Sequence, residues 1–233
     1  MLVHAARQIA SLLFGGRCFL CRGTSHGGAV LCTPCRDDLP RLSASRCPRC
    51  ALPGPPDAVC GRCLAHPPQY DATIAALSYE FPADVLVQAL KYRGELALAP
   101  LLAELLAAQL AGEAAVDVVL PVPLSAERLR ARGYNHAMEI ARALPLAAPL
   151  APELCARVRD TPAQSDLPWA ARARNVRGAF QCRDALDELS VAVVDDVMTT
   201  GATLDALAQA LKRAGAARVV NWVVARTLPP TDF

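Results

Sequence analysis

The chain has 233 residues with 24 Lys+Arg against 22 Asp+Glu, a formal charge of +2, and is 53% hydrophobic and 20% charged. Such a chain accommodates one large domain, or one medium domain with a small module, and most of it can bury a core. No apolar run approaches the roughly 20 residues of a membrane span, which speaks against a transmembrane protein.

In chain order, the opening MLVHAARQIASLLFGG has the apolar weight of a signal peptide but is broken by His4, Arg7 and Gln8. Ile9, Leu12 and Leu13 recur at helical spacing, so a short amphipathic helix is predicted here, and with it a cytoplasmic protein. Eight of the ten cysteines then fall as four C-x-x-C pairs: Cys18/Cys21, Cys32/Cys35, Cys47/Cys50 and Cys60/Cys63. A C-x-x-C turn aims two thiolates at one point, and two such knuckles complete a tetrahedral sulfur cage for zinc. Four knuckles imply two structural zinc ions, held either by successive pairs or in a cross-braced arrangement. Disulfides need an oxidising compartment, and a redox C-x-x-C normally occurs once, near a βαβ pattern. Residues 36–70 are turn-rich and poor in core formers, so this module needs its metal to fold. His26 and His66 lie nearby and are expected on the surface, since eight cysteines leave no vacancy for them.

Charge is uneven along the chain. Residues 1–70 hold eight arginines and three aspartates, a balance of +5, and the remainder carries −3. Two zinc–tetrathiolate sites add about −4 and nearly cancel the basic module's excess. Arg36, Arg41, Arg46 and Arg49 around the third knuckle are the candidates for a contact with single-stranded DNA.

After PPQYDA the pattern changes. ATIAALSY suits a strand, ADVLVQALKY and LALAPLLAELLAAQLA have helical periodicity, and VDVVL is a short buried strand followed by the loop PVPLS. NHAMEIARAL is helical; SVAVVDD, ATLDALAQALKRAG and ARVVNWVVART read as strand, helix and strand. Cys155 and Cys182, in the strand-like stretches LCARV and AFQC, are expected as isolated buried thiols. Short buried strands alternating with helices predict an α/β domain with a mainly parallel sheet flanked by helices. The predicted boundaries are 1–68 for the helix and zinc module and 69–233 for the α/β domain.

Ligands of such sheets bind beyond the carboxyl ends of the strands. Two loops are predicted there, Pro121–Ser125 and Asp195–Thr203. In the second, Asp195 and Asp196 emerge where a buried strand ends. Thr199, Thr200 and Thr203 add hydroxyls around the next helix's amino terminus, where Gly201 and Ala202 lie, and Gly201 lets the backbone approach a ligand. Unpaired N–H groups and the helix dipole make that terminus an anion site, most naturally for phosphate. Two carboxylates beside a phosphate cradle suit vicinal sugar hydroxyls or Mg²⁺, so the loop has the parts for a phosphorylated ribose. Neither G-x-x-x-x-G-K-[ST] nor G-x-G is present, which excludes a P-loop and a dinucleotide fingerprint.

VVDDVMTTGAT resembles the PRPP-binding motif of type I phosphoribosyltransferases. Together with the four knuckles, the segments LKYRGE, LPVPLSAERLRARGYNHA and QSDLPWAARARNVRGAF are similar to the ComF family, an amino-terminal double zinc ribbon on such a transferase domain. The resemblance covers nearly the whole chain. It implies that Asp195 and Asp196 hold the ribose hydroxyls and that Thr199, Thr200, Gly201, Ala202 and Thr203 hold the 5′-phosphate. Pro121, Val122 and Pro123 would form the pyrophosphate loop, with Arg128 and Arg132 offsetting its charge. Lys91 and Tyr92 match a family motif, and Lys91 joins the PRPP-binding set. Gln164, Arg172 and Asn175 match a lid segment. Asp195, Asp196, Arg128, Arg132 and Arg172 are thus the candidate catalytic residues. The implied reaction is Mg²⁺-dependent displacement of pyrophosphate from PRPP by an acceptor that the sequence does not specify, linked to DNA uptake in natural transformation. The alternative is a non-catalytic module of the competence machinery that binds PRPP or single-stranded DNA.

Overall fold

The zinc module is built twice over the same backbone pattern. Cys18 N–H donates to Gly23 O and Cys47 N–H to Leu52 O, both at 2.8 Å, and Arg22 and Ala51 return hydrogen bonds to Cys18 O and Cys47 O. Arg22 and Ala51 both adopt positive φ, the left-handed bend that closes each first knuckle. The strand pair β1 (Gly16–Arg17) and β2 (Thr24–Ser25) flanks the first of these turns. The second knuckle of each half opens a five-residue helix: Cys32 immediately precedes α1 (Thr33–Asp37) and Cys60 immediately precedes α2 (Gly61–Ala65). These features belong to a computed structural model that describes residues 16–55, 58–159, 178–183 and 185–229. The predicted amino-terminal helix lies outside the described residues.

The α/β domain follows with β3 (Ala72–Ser78), α3 (Ala83–Arg93), α4 (Leu98–Leu110), β4 (Val118–Pro121), α5 (Ala126–Arg132), α6 (His136–Ala143), β5 (Cys155–Arg157), β6 (Phe180–Cys182), β7 (Ser190–Met198), α7 (Ala202–Arg213) and β8 (Arg218–Arg226). Strands β3, β8, β7 and β4 pair in that order, all parallel, giving the helix-flanked parallel sheet that the sequence predicts. Burial on both faces explains the near-continuous apolar runs in these strands. Ala192 and Val194 of β7 pack toward α3, α4 and α6 with Leu86, Leu102 and Ile140. Val191 and Val193 pack toward α7 with Leu204, Leu207 and Leu211.

The ribbon covers the open edge of β3. Thr73 N–H donates to Pro48 O at 3.0 Å and Ser78 N–H to Pro40 O at 2.8 Å, satisfying edge groups that would otherwise face solvent. Its cysteines also enter the domain's cores: Cys18, Leu31 and Leu39 pack with the α3–α4 side, and Cys47, Cys50 and Cys63 with the α7 side.

Three features differ from the sequence reading. Strand β7 does not end before the aspartates. Pairing with β8 continues through Asp195↔Val223 and Val197↔Ala225 to Met198↔Arg226, so both acids sit within the strand and are buried. Likewise Pro121 is the last residue of β4 rather than part of a loop. Cys155 and Cys182 are not isolated thiols. They are register partners across the antiparallel β5–β6 pair and are joined in a disulfide. Twenty-seven residues separate them in sequence, so single-strand patterning had no means of pairing them.

Candidate functional site

The carboxyl ends of β4 and β7 open into a cleft of about 420 Å³. Asp195 and Asp196 form its floor at 8% and 1% exposure. Lys91, in the last turn of α3, donates to Asp196 Oδ1 at 3.1 Å, with its Nζ 2.8 Å from Oδ2. His136, the first residue of α6, lies with Nε2 3.5 Å from Asp196 Oδ1 and 4.0 Å from Asp195 Oδ1. Val197 N–H adds a 2.8 Å bond to Asp196, and Asp196 N–H donates to Asp195 Oδ1 at 2.9 Å.

The two carboxyls therefore differ. Burial, and then the neighbouring Asp196 charge, push Asp195 up to about 8. Burial also works against ionised Asp196, but Lys91 and His136 outweigh it and hold that carboxyl well below the usual range. One acid is fixed as a charged anchor, and the other is poised to gain or lose a proton near neutrality.

The segment RGYNHA positions the cleft's other wall. Gly133 ends α5 in the left-handed conformation, and Tyr134 Oη donates to Leu90 O, fastening the segment to α3. Asn135 caps α6 through Oδ1 while its Nδ2 donates to Val122 O at 3.0 Å, so one side chain fixes both the helix start and the loop after β4. Ser125 caps α5, which brings Arg128 and Arg132 to the rim. The Arg132 guanidinium lies 5.0 Å from the Tyr92 ring centroid and 3.2 Å from His136 Nδ1.

Of the sequence-derived site residues, the cleft collects Lys91, Val122, Arg128, Arg132, Asp195, Asp196, Thr199 and Thr203. Pro121 is buried in the sheet below it, and Pro123 does not line it. Thr200, Gly201 and Ala202 line a second cavity of about 340 Å³, and Thr200 Oγ1 accepts from Ala202 N–H. Gly201 has φ +85°, and a Cβ there would meet Tyr70 Oη at 3.0 Å and Met198 Cε at 2.7 Å, so only glycine fits. Gln164, Arg172 and Asn175 lie outside the described residues. His136, Tyr79 and Arg157 line the cleft without having been read from the sequence. His136 stands beside the capping Asn135, but nothing in a linear pattern brings it to Asp196.

Each group of four cysteines forms one cage from successive pairs: Cys18, Cys21, Cys32 and Cys35, then Cys47, Cys50, Cys60 and Cys63, with all ligand atoms in a cage within 4.8 Å of one another. The Cys21–Cys32 and Cys50–Cys60 sulfurs are each 3.6 Å apart. Zn–S bonds of about 2.3 Å in a tetrahedron require about 3.8 Å, so both cages fit structural zinc. Two of the four candidate DNA-contacting arginines are held by the domain instead. Arg36 Nη1 donates to Glu104 at 3.1 Å, and Arg46 reaches Ala75 O and Gln109 Oε1 at 3.4 Å.

Residues 9–64 match the family model of the double zinc ribbon domain. The chain is 37% identical over 225 residues to DNA utilization protein YhgH of Salmonella typhi, covering 91% of this chain and 98% of that protein. It is 30% identical to competence protein F of Haemophilus influenzae over the same shares, and 24% identical to competence protein ComFC of Bacillus subtilis over 82% of this chain and 81% of that one. A purine phosphoribosyltransferase from Pyrococcus horikoshii matches 69% of this chain and 95% of its own at 18% identity and a TM-score of 0.27, too distant to bear on function. Among the described residues, no helix is long and apolar enough to cross a membrane.

Proposed function

The chain belongs to the ComF family, that of competence protein F and DNA utilization protein YhgH, and from this premise we propose that its cleft binds Mg²⁺–PRPP and transfers the phosphoribosyl group. One observation carries the reading. The paired acids near the end of β7 share a single cleft with Thr199 and Thr203 at the start of α7 and with Arg128 and Arg132 of α5. A ligand that carries both sugar hydroxyls and two phosphate groups matches that set of partners.

In this reading the amino terminus of α7 and its threonines hold the 5′-phosphate. Asp195 and Asp196 accept the ribose hydroxyls. Val122 N–H already donates to Val194 O, so the loop after β4 offers the pyrophosphate its later residues and the two arginines, whose forks meet phosphate oxygens in pairs. Lys91 is committed to Asp196 and acts by fixing that carboxylate. His136, Asp195 and Asp196 could together ligate a divalent ion, but the Lys91 charge on Asp196 opposes direct coordination. These residues would thus hold Mg²⁺ only through its pyrophosphate, and the ion would supply neutralisation of that charge.

The acceptor nitrogen forms its bond to ribose C1 as the C1–oxygen bond breaks, and pyrophosphate leaves with that electron pair. Positive charge on the ring meets the two acids, and negative charge on the leaving group meets Arg128 and Arg132. Positioning and charge stabilisation supply the catalysis without a covalent nucleophile. Arg172 joins this set as a lid residue. We place the domain boundary at 68/69 and, from the relatives' names, the role in DNA utilisation or competence.

Calorimetry with Mg²⁺–PRPP tests the site, and pyrophosphate release screened over nucleobase acceptors, with and without single-stranded DNA, tests turnover. Absence of PRPP binding defeats the reading. Binding without pyrophosphate release from any acceptor favours the non-catalytic module.

A further inference from the structure

Among the described residues Arg226 is the largest fully buried side chain, at 0% exposure, and its place is unusual for a cation. It is the last residue of β8, in register with Met198 at the end of β7. Its Nε donates to Cys50 O at 2.8 Å, within the second ribbon's knuckle. Its Nη1 donates to Met198 O, at the end of β7, at 2.7 Å and also to Thr199 O, the first residue of the loop that enters α7. A planar fork thus ties one zinc knuckle to that loop. Two neighbours reinforce the tie: Arg62 of the ribbon donates to Thr200 O at 3.2 Å, and Tyr70 closes on Gly201.

Among the described residues no carboxylate forms an ion pair with Arg226. A guanidinium buried without a counter-charge is strongly disfavoured. Cys50 and Cys63 line the same cavity as Arg226 and belong to the cage that with zinc carries a net charge of about −2. The first cage lies on the other face of the sheet, with Cys18 packed among the α3–α4 side.

Taking residues 199–203 as the phosphate loop, as proposed above, we infer that Arg226 is its positioning residue and that the second zinc–tetrathiolate centre is the counter-ion that keeps Arg226 in place. The two ribbon halves then have different duties. The second supports the phosphate site, and the first does not. PRPP affinity becomes conditional on metal in one cage alone.

The test uses the full-length chain as wild type, Cys21→Ser, Cys60→Ser and Cys60→His, with zinc content, hydrogen–deuterium exchange of the peptide over residues 196–206, and Mg²⁺–PRPP calorimetry. Each serine variant should lose one zinc. In Cys60→Ser, exchange should rise and PRPP affinity fall at least tenfold, while Cys21→Ser stays within twofold of wild type. Cys60→His keeps four ligands and its zinc but lowers the cage's negative charge, and its exchange should fall between wild type and Cys60→Ser. Wild-type exchange in Cys60→His would overturn the counter-ion role. Equal responses from the two serine variants, or an unmoved loop in a zinc-depleted Cys60→Ser, would overturn the coupling. Should wild type bind no PRPP while loop exchange still follows the second cage alone, the phosphate assignment fails and the coupling stands.

Discussion

Lys91 Nζ lies 2.8 Å from Asp196 Oδ2, joining the last turn of α3 to the floor of the cleft across 105 residues of sequence. With Asp196 only 2% and Lys91 24% exposed at the side chain, the pair is shielded enough for its loss to be felt. Asp196→Asn leaves the lysine without its partner and should destabilise the fold by roughly 3 kcal/mol, the lower end for a broken buried pair because Lys91 keeps some water. Urea unfolding measures it. A change below about 0.5 kcal/mol would mean that Lys91 finds another partner.

Asp195 should behave in the opposite way. Its carboxyl is raised in the folded chain to about 8, so between about pH 4 and pH 8 the native state holds a proton that the unfolded chain has released. Stability contributed by that proton falls as pH rises through this window. Asp195→Asn abolishes the decline, so the variant should gain on wild type from pH 5 to pH 8 in parallel thermal melts. A variant that loses ground as pH rises would contradict the assignment.

The same carboxyl sets a pH dependence for ligand binding. Ribose hydroxyls donate to the ionised form, so Mg²⁺–PRPP binding near pH 7 should release a proton, and affinity should climb toward pH 8 before levelling. Asp195→Asn should remove the pH dependence and weaken binding by about 1.5–3 kcal/mol, the range for a hydrogen bond to a charged group. Calorimetry in buffers of different ionisation enthalpy reads both effects. Unchanged affinity in the variant would displace the ribose from this acid.

Two zinc ions per chain are expected by metal analysis, with Cys21→Ser retaining one. Because Cys18, Leu31 and Leu39 share a core with Leu77 and Leu102, loss of the first metal should lower the melting temperature of the whole chain rather than unfold the ribbon by itself. Separate ribbon and domain transitions in calorimetric scans would show that the shared core matters less than the contacts imply.

Single-stranded DNA binding through the ribbon should be weak and should rest on Arg41 and Arg49, since Arg36 and Arg46 are occupied by Glu104 and Gln109. Two phosphate contacts give a log–log salt slope of roughly −1.4, from about −0.7 per contact. Fluorescence anisotropy at several salt concentrations reads the slope, and charge reversal of Arg41 and Arg49 should flatten it. Binding that survives that reversal would move the contact off these two arginines.

Local signals carried much of this protein. Cysteine spacing alone announces two cages, because a C-x-x-C turn has only one way to aim both sulfurs. The apolar run Val191–Val194, and the stretch Val219–Val224 broken only by Asn221, announce buried strands, and the turn around Gly201 announces a ligand site before a helix. Tertiary structure decided what linear patterns cannot encode. Successive knuckles pair because each half of the ribbon repeats its own turn, and Cys155 meets Cys182 because β5 and β6 are register partners. The strand carrying Asp195 and Asp196 extends past them because β8 continues to pair alongside, a relation between segments rather than a property of either. The different protonation of the two acids depends on Lys91 and His136 arriving from α3 and α6. Arg226 reads in sequence as the polar end of a strand, and it becomes the bridge between knuckle and loop only when β8 ends beneath both.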